Sequence, residues 1–343
     1  MTISRSELLQ YKSVVVDETL NNGGGISAVP VVSGVLNNVF PNVSKAQRLS
    51  GLTTYRKVFI KNTNLVSALI APIAWIDTIT AGDDYIVMFA GDATDIVDDL
   101  VSAARKYGCS SLKTNATAGA TSFVVSVEHA DLASGNDQII KNGDTIRITN
   151  KSDIDSGVGT EEEFTITALT TNYLGNAKDM LISISPSVLA NTYTVVGNTR
   201  VMSIYSHVSD LFASSSVDGV TSAAGTYNNT DYPVVVNNIG TVDDTITIHF
   251  TSATAFTVTS DVFGSLTAGS RSADYTFNNP NYPTSLHFQI PTLAWGGTFV
   301  NGDEVVFLTN SASMAIWRKR VVPANSNSLN GNKTVLVFGG ESE

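Results

Sequence analysis

The chain has 343 residues, 43% of them hydrophobic, so it can bury two domains or three small β cores. Charged residues make up only 15%, against a usual quarter, and the net charge is −11 with no basic stripe; direct binding to nucleic-acid phosphates is thereby excluded. Cys109 stands alone, which excludes a disulfide framework or a thiolate metal cluster, and no apolar run approaches the roughly 20 residues of a membrane helix.

Residues 1–52 are predicted to be an extended N-terminal arm. The start, "MTISRSELLQYKSVVVDETLNN", has no apolar h-region, so no signal peptide is expected. The stretch "LNNGGGISAVPVVSG" is Gly-rich and nearly uncharged, and no period of 2 or 3.6 is sustained before Tyr55. Within the arm, "SKAQ" has capping-box spacing, with Ser44 as N-cap, Gln47 at the third helical position and Gly51 as a stop.

Strands follow closely: "TYRKVFIKN", "IAWIDTIT" and "DYIVMFAG", the last two joined by the turn-forming "TAGDD" (Thr80 to Asp84) as a hairpin. One helix is predicted near 94–107, in "ATDIVDDLVSAARKYG". Ile96, Val97, Leu100, Val101 and Ala104 recur at helical spacing, acids lead, bases trail and Gly108 closes it. Its charges are read as a solvated face.

Beyond residue 120 the pattern is short alternating strands with turn residues between them, as in "DTITIHF" and "DEVVFLTN". The fold class is therefore mainly β: two or three small β-sandwich or barrel modules with one short helix and the extended arm. The expected boundaries are 1–52 for the arm, 53–118 for a first β module containing the helix, 119–232 for an inserted β module and 233–343 for a C-terminal β-sandwich. The break before the last is placed in the polar "SSSVDGVTSAAGTYNNTDYP" (Ser214 to Pro233). "NGDTIRITN" and "NGDEVVFLTN" resemble each other; shared turn chemistry is preferred over duplication.

No constellation with catalytic spacing emerges. His249 and His287 sit on the polar faces of alternating strands and are read as solvent-facing; His129 and His207 lack metal spacing. Cys109 has no adjacent base. Carboxylate neighbours such as Asp83/Asp84 and Asp243/Asp244 point apart on a strand or turn, so their adjacency is not a glycosidase pair. "SDIDSGVGTEEEF" (Ser152 to Phe164) has part of the oxygen spacing of a calcium loop, but the glycine falls one place early; an acidic hairpin tip is the preferred reading. The chain is expected not to be an enzyme and to need no cofactor or metal.

Two segments carry a resemblance. They are "DETLNNGGGISAVPVVSGVLNNVFPNVSKAQRLSGLTTYRKVFIKNTN" and "FVNGDEVVFLTNSASMAIWRKRVVPANSNSLNGNKTVLVFGGES". They are similar to structural proteins of contractile-tailed bacteriophages, of the neck or collar type. That family has a Gly-rich start, an "NVFP" element (here Asn38 to Pro41) and a "YRKVF" strand (Tyr55 to Phe59). It ends in a "GD" strand (Gly302 to Asn310), an "IW" pair (Ile316 to Trp317) and an "RVVPA" run, here Arg320 to Ala324. Residues 110–235 lie outside the likeness.

The resemblance implies a virion component, assembled in the host cytoplasm. It would form a symmetric homo-oligomeric ring at the head–tail junction and touch the portal or connector, the tail terminator or sheath, and fibres. The arm would exchange onto neighbours through Val29, Val31, Val35, Val39 and Phe40. The alternative is a baseplate, tail-fibre or capsid decoration protein binding host-surface glycans with Tyr227, Tyr232, Tyr275, Tyr282 and Trp295.

Overall fold

The strand Leu52–Asn62 organises the molecule. In the computed structural model, which describes residues 2–342, it is buried on both faces over most of its length. That explains why it carries large residues at every position instead of alternating cleanly. Around it runs an all-antiparallel sheet in the order Gly23–Pro30, Leu8–Val15, Leu52–Asn62, Ser313–Val322, Tyr85–Gly91. Ser313–Val322 pairs with the central strand from Ser313↔Lys61 to Val322↔Leu52, so the two ends of the chain form one sheet.

One face of this sheet presents Val58, Ile60, Met88, Met314 and Ile316. They pack on a three-stranded sheet of Tyr205–Ser206, Leu69–Ile76 and Leu336–Ser342, which adds Trp75 and Ile76 to a shared core. This two-layer sandwich is the base of the molecule. The predicted hairpin through "TAGDD" is not one: Leu69–Ile76 and Tyr85–Gly91 belong to opposite layers, and the turn carries the chain across.

Two modules are inserted into the base. The first is a seven-stranded antiparallel sheet running from Cys109–Leu112 to Arg200–Ser203, with a core that includes Val125, Ile146, Ile148, Met180, Ile182 and Tyr193. The second runs from Ser214–Thr221 to Glu304–Asn310 around an aromatic core in which Phe250 stacks on Phe299 at 4.0 Å and Trp295 meets Phe250 edge-on at 5.4 Å.

The mainly β class is as expected, and several expectations within it are corrected. Residues 1–52 are not an unpaired arm throughout. Leu8–Val15 pairs with Leu52–Asn62, and Gly23–Pro30 pairs with Leu8–Val15 through two register shifts. Those shifts break the alternation that would have revealed strands. The stretch Ser214–Pro233 is not a boundary either: Ser214–Thr221 pairs with Glu304–Asn310 and Gly225–Tyr227 with Trp295–Gly297. It reads as a linker because it is an edge strand whose outward positions are Ser and Asp. The expected C-terminal module 233–343 likewise divides, because its last strands return to the base.

The helix predicted near 94–107 reduces to one 3-10 turn, Val97–Asp99. The carbonyls of Ala93 and Asp95 accept hydrogen bonds from Lys57 Nζ at 3.1 and 3.0 Å, and Asp95 O also accepts from Gly24 N at 2.9 Å. Val97 N and Asp98 N donate to Asn22 and Leu20 carbonyls. Tertiary partners thus claim the backbone groups a helix would need, and override its propensity. The single α-helix among the described residues is Lys45–Ser50. It carries the predicted capping box, with Gln47 N donating to Ser44 Oγ at 3.2 Å and Ser44 N to Gln47 Oε1 at 2.8 Å. Gly51 ends it at φ +82°, the left-handed region open to glycine.

Candidate assembly surface

The strand Gly23–Pro30 is the outer edge of the base sheet: its start is closed by the Gly23↔Ile96 bridge and the Gly24 N–Asp95 O bond, and beyond them no other strand among the described residues pairs with its outer side. The chain then leaves the sheet and crosses the base to the helix. Its apolar residues divide into two sets. Val31 and Val39 pack against the sandwich core, and Val31 N still donates to Gln10 O at 2.8 Å. Val29, Val32, Val35 and Leu36 face outward, Leu36 being 75% exposed. Asn38 Nδ2 donates to Val32 O at 2.7 Å and closes this segment into a loop.

Of the five predicted arm contacts, the structure therefore leaves Val29 and Val35 available and uses Val31 and Val39 within the chain. Phe40 is half-buried. Its ring lies 5.9, 5.8 and 4.8 Å from the guanidinium carbons of Arg56, Arg318 and Arg320. Arg320 Nη1 also donates to Pro41 O at 3.0 Å, so the "NVFP" element is fastened to the "RVVPA" strand.

Sequence reasoning missed the buried basic residues of the base sheet. On one face Lys57 is 1% exposed and donates to Gly24, Ala93 and Asp95 carbonyls, with the Asp95 carboxylate at 2.5 Å. Trp317 Nε1 donates to the other Asp95 oxygen at 2.8 Å. On the opposite face Arg56, Arg318 and Arg320 cluster beneath Phe40. The available signal was the charge itself: "TYRKVFIKN" and "AIWRKRVV" place cations on both faces of their strands, which a one-sided sheet does not do.

The other candidate residues are dispersed. His249 is half-exposed, with Nδ1 2.8 Å from Glu304 Oε1, as expected of a solvent-facing histidine. His287 is fully buried, contrary to expectation: its Nε2 meets Asp244 Oδ2 at 3.0 Å, and Ser260 Oγ donates to the same oxygen at 2.5 Å. The strand Leu286–Ile290 is covered on both faces, so its polar side is internal. Ser, His and Asp meet here, but the carboxylate lies between the other two, leaving no serine–histidine pair to make a nucleophile.

Cys109 is buried, and desolvation pushes its thiol up, away from reactivity. Burial likewise raises Glu128 to about 8, with Thr80 Oγ1 donating to it at 3.0 Å. The acids of the calcium-like segment turn to separate partners at a hairpin tip. Asp155 meets Arg5, Glu161 meets Lys151, Glu163 meets Arg147, and Glu162 accepts from Ala190 N, Asn191 N and Tyr193 Oη. Trp295 and Tyr275 are core residues at 8% and 7% exposure, so they are not part of a glycan platform.

The two "NGD" turns share their chemistry. Gly143 and Gly302 have φ of +87° and +94°, and Asp144 and Asp303 each accept from the amide three residues back, at 2.5 and 2.9 Å. No family model, curated protein or solved structure matches this chain.

Proposed function

We propose that this chain is a structural subunit of a tailed-phage virion, a collar or neck protein that assembles as a symmetric homo-oligomer. The observation that carries the reading is the outer edge of the base sheet. Past its first two residues, which bond to the Asp95–Ile96 segment, the edge strand Gly23–Pro30 has no strand on its outer side among the described residues, and it runs into a loop; Val29 of the strand and Val32, Val35 and Leu36 of the loop face solvent. A strand edge offers main-chain hydrogen bonds and the valines offer apolar anchors, the two ingredients of strand-addition contacts. Left uncovered, such an edge is an aggregation hazard, so a covering neighbour is the economical explanation.

The placement of the resembling segments supports the same reading. "YRKVF" and "IWRKRVV" are far apart in sequence, yet they pair as Tyr55↔Lys319, Lys57↔Trp317 and Phe59↔Ala315. The likeness thus joins the two ends of the chain in the base, and it also takes in Glu304–Asn310, the strand of the second β module that leads back to it.

The test has two parts. Electron microscopy of particles carrying a label on this protein is expected to show it at the head–tail junction; purified particles without the label would overturn the virion reading. Sedimentation of the purified chain is expected to show a closed oligomer that Leu36→Asp reduces to folded monomer. A monomer at every concentration would overturn the ring.

A further inference from the structure

We propose that Arg56, Arg318 and Arg320 form a binding site for a small free oxyanion of the phosphate or sulfate type, roofed by Phe40. The inference is independent of the virion reading. It starts from register. Arg56 lies directly opposite Arg318 and Thr54 directly opposite Arg320 on adjacent antiparallel strands, so the three side chains share one face. All three are buried, at 5%, 6% and 7% exposure.

Their donors outnumber the acceptors. Arg56 spends Nη1 on the Asp17 and Tyr55 carbonyls and Nη2 on Glu18. Arg318 gives Nη2 to Thr334 Oγ1, and Arg320 gives Nη1 to Pro41 O. Among the described residues, Nε of all three arginines, Nη2 of Arg320 and Oγ1 of Thr54 have no partner and are out of solvent. Nε and Nη2 of Arg320 form one edge of the guanidinium fork. That edge presents two parallel N–H groups to two oxygens of one anion.

Charge balance points the same way. Glu18 pairs with Arg56 and is half-exposed. Asp84 reaches Arg320 only by its field, while its Oδ1 accepts from Asn332 Nδ2. Among the described residues no carboxylate acts on Arg318: burial alone lowers it, to about 10, and it stays protonated at neutral pH. Water can satisfy an N–H group but cannot compensate a buried charge; an anion does both. Bound there, it would hold the Arg320 strand and the Phe40–Pro41 turn together.

The test uses the full chain. Inorganic phosphate, titrated against sodium chloride at equal ionic strength, is expected to raise the thermal midpoint saturably, on the order of 2–6 °C beyond chloride. Arg320→Gln and Arg318→Met are expected to abolish that excess. Equal shifts by phosphate and chloride would overturn the site. A crystal soaked in selenate decides the matter without variants, should one fail to fold. An anomalous peak within hydrogen-bond distance of Arg320 Nε and Nη2 is the expected result. Water alone there, or a carboxylate from a second copy of the chain, would overturn the assignment to a free oxyanion.

Discussion

Lys57 and Arg318 occupy neighbouring strands of one sheet, on opposite faces, and both are buried. Their surroundings differ in kind. The Lys57 ammonium has three carbonyl acceptors and the Asp95 carboxylate, and the segment that supplies all of them but Gly24 O gives up a helix to do so. Arg318 has one hydroxyl and, beside it, further cations. The contrast teaches that burial of a charge does not by itself mark a site. A buried cation whose partners come from its own chain holds structure together; one whose partners are missing points outside the chain.

The largest expected effect tests the satisfied face. Lys57→Met leaves the Asp95 carboxylate with only Trp317 as donor and removes the ammonium from the Gly24, Ala93 and Asp95 carbonyls, of which Asp95 O keeps Gly24 N. Unfolding in urea is expected to show a loss of about 3–5 kcal/mol, unchanged by added phosphate. A loss under about 1 kcal/mol would mean the network contributes little beyond its own desolvation cost. Arg318→Met is expected to behave oppositely. Removing an uncompensated buried charge should leave stability in phosphate-free buffer within about 1 kcal/mol of the parent, or above it. A loss as large as that of Lys57→Met would erase the distinction between the faces.

This contrast shows which parts of the fold were legible. The capping box at Ser44 and the "NGD" turns were readable because their partners lie three residues away. The helix near 94–107 was misread because its periodicity was real, while the competing partner, Lys57, lies some forty residues earlier in the chain, as in the Lys57 Nζ–Asp95 O bond. The strands Leu8–Val15 and Gly23–Pro30 were hidden by register shifts that spoil a period of two. The valines proposed as assembly contacts stood out in the sequence because they lie in a polar, Gly-rich stretch. Which of them face out was not readable, because that depends on where the base core lies.

Lys61 is an intermediate case and sharpens the comparison through pH. It has one acceptor, Ile239 O at 2.7 Å, the Tyr282 ring 5.4 Å away, and the field of Asp243. Burial lowers it from 10.5 to about 8. Between those values the unfolded chain binds the proton that the folded chain has lost, so folding gains stability as pH rises from about 8 to 10.5. Below that window the desolvation cost is present in full. Lys61→Met is therefore expected to be at least as stable as the parent at pH 7, and its advantage should shrink as pH climbs through the window. Denaturation midpoints of the two proteins at a series of pH values check this. A difference that is flat with pH would mean Lys61 is solvated in the folded chain.

The smallest effect on stability concerns the loop that roofs the arginine face. Val35 and Val39 are four residues apart, and the structure puts them to different uses: Val35 is 56% exposed, and Val39 packs against the sandwich core. Val35→Ser removes little that is buried, so its unfolding free energy should lie within about 0.5 kcal/mol of the parent. Val39→Ala removes packed methyl groups and should cost roughly 1 kcal/mol. Self-association, measured by analytical ultracentrifugation, is expected to reverse that order. Val35→Ser should weaken it several-fold, because its methyl groups would be buried only against a neighbour, while Val39→Ala should leave it nearly unchanged. If Val35→Ser costs as much stability as Val39→Ala, the loop is packed within the monomer and its valines are not free for a partner. If both variants associate like the parent, the contact lies elsewhere on the base, and the open edge at Gly23–Pro30 needs another explanation.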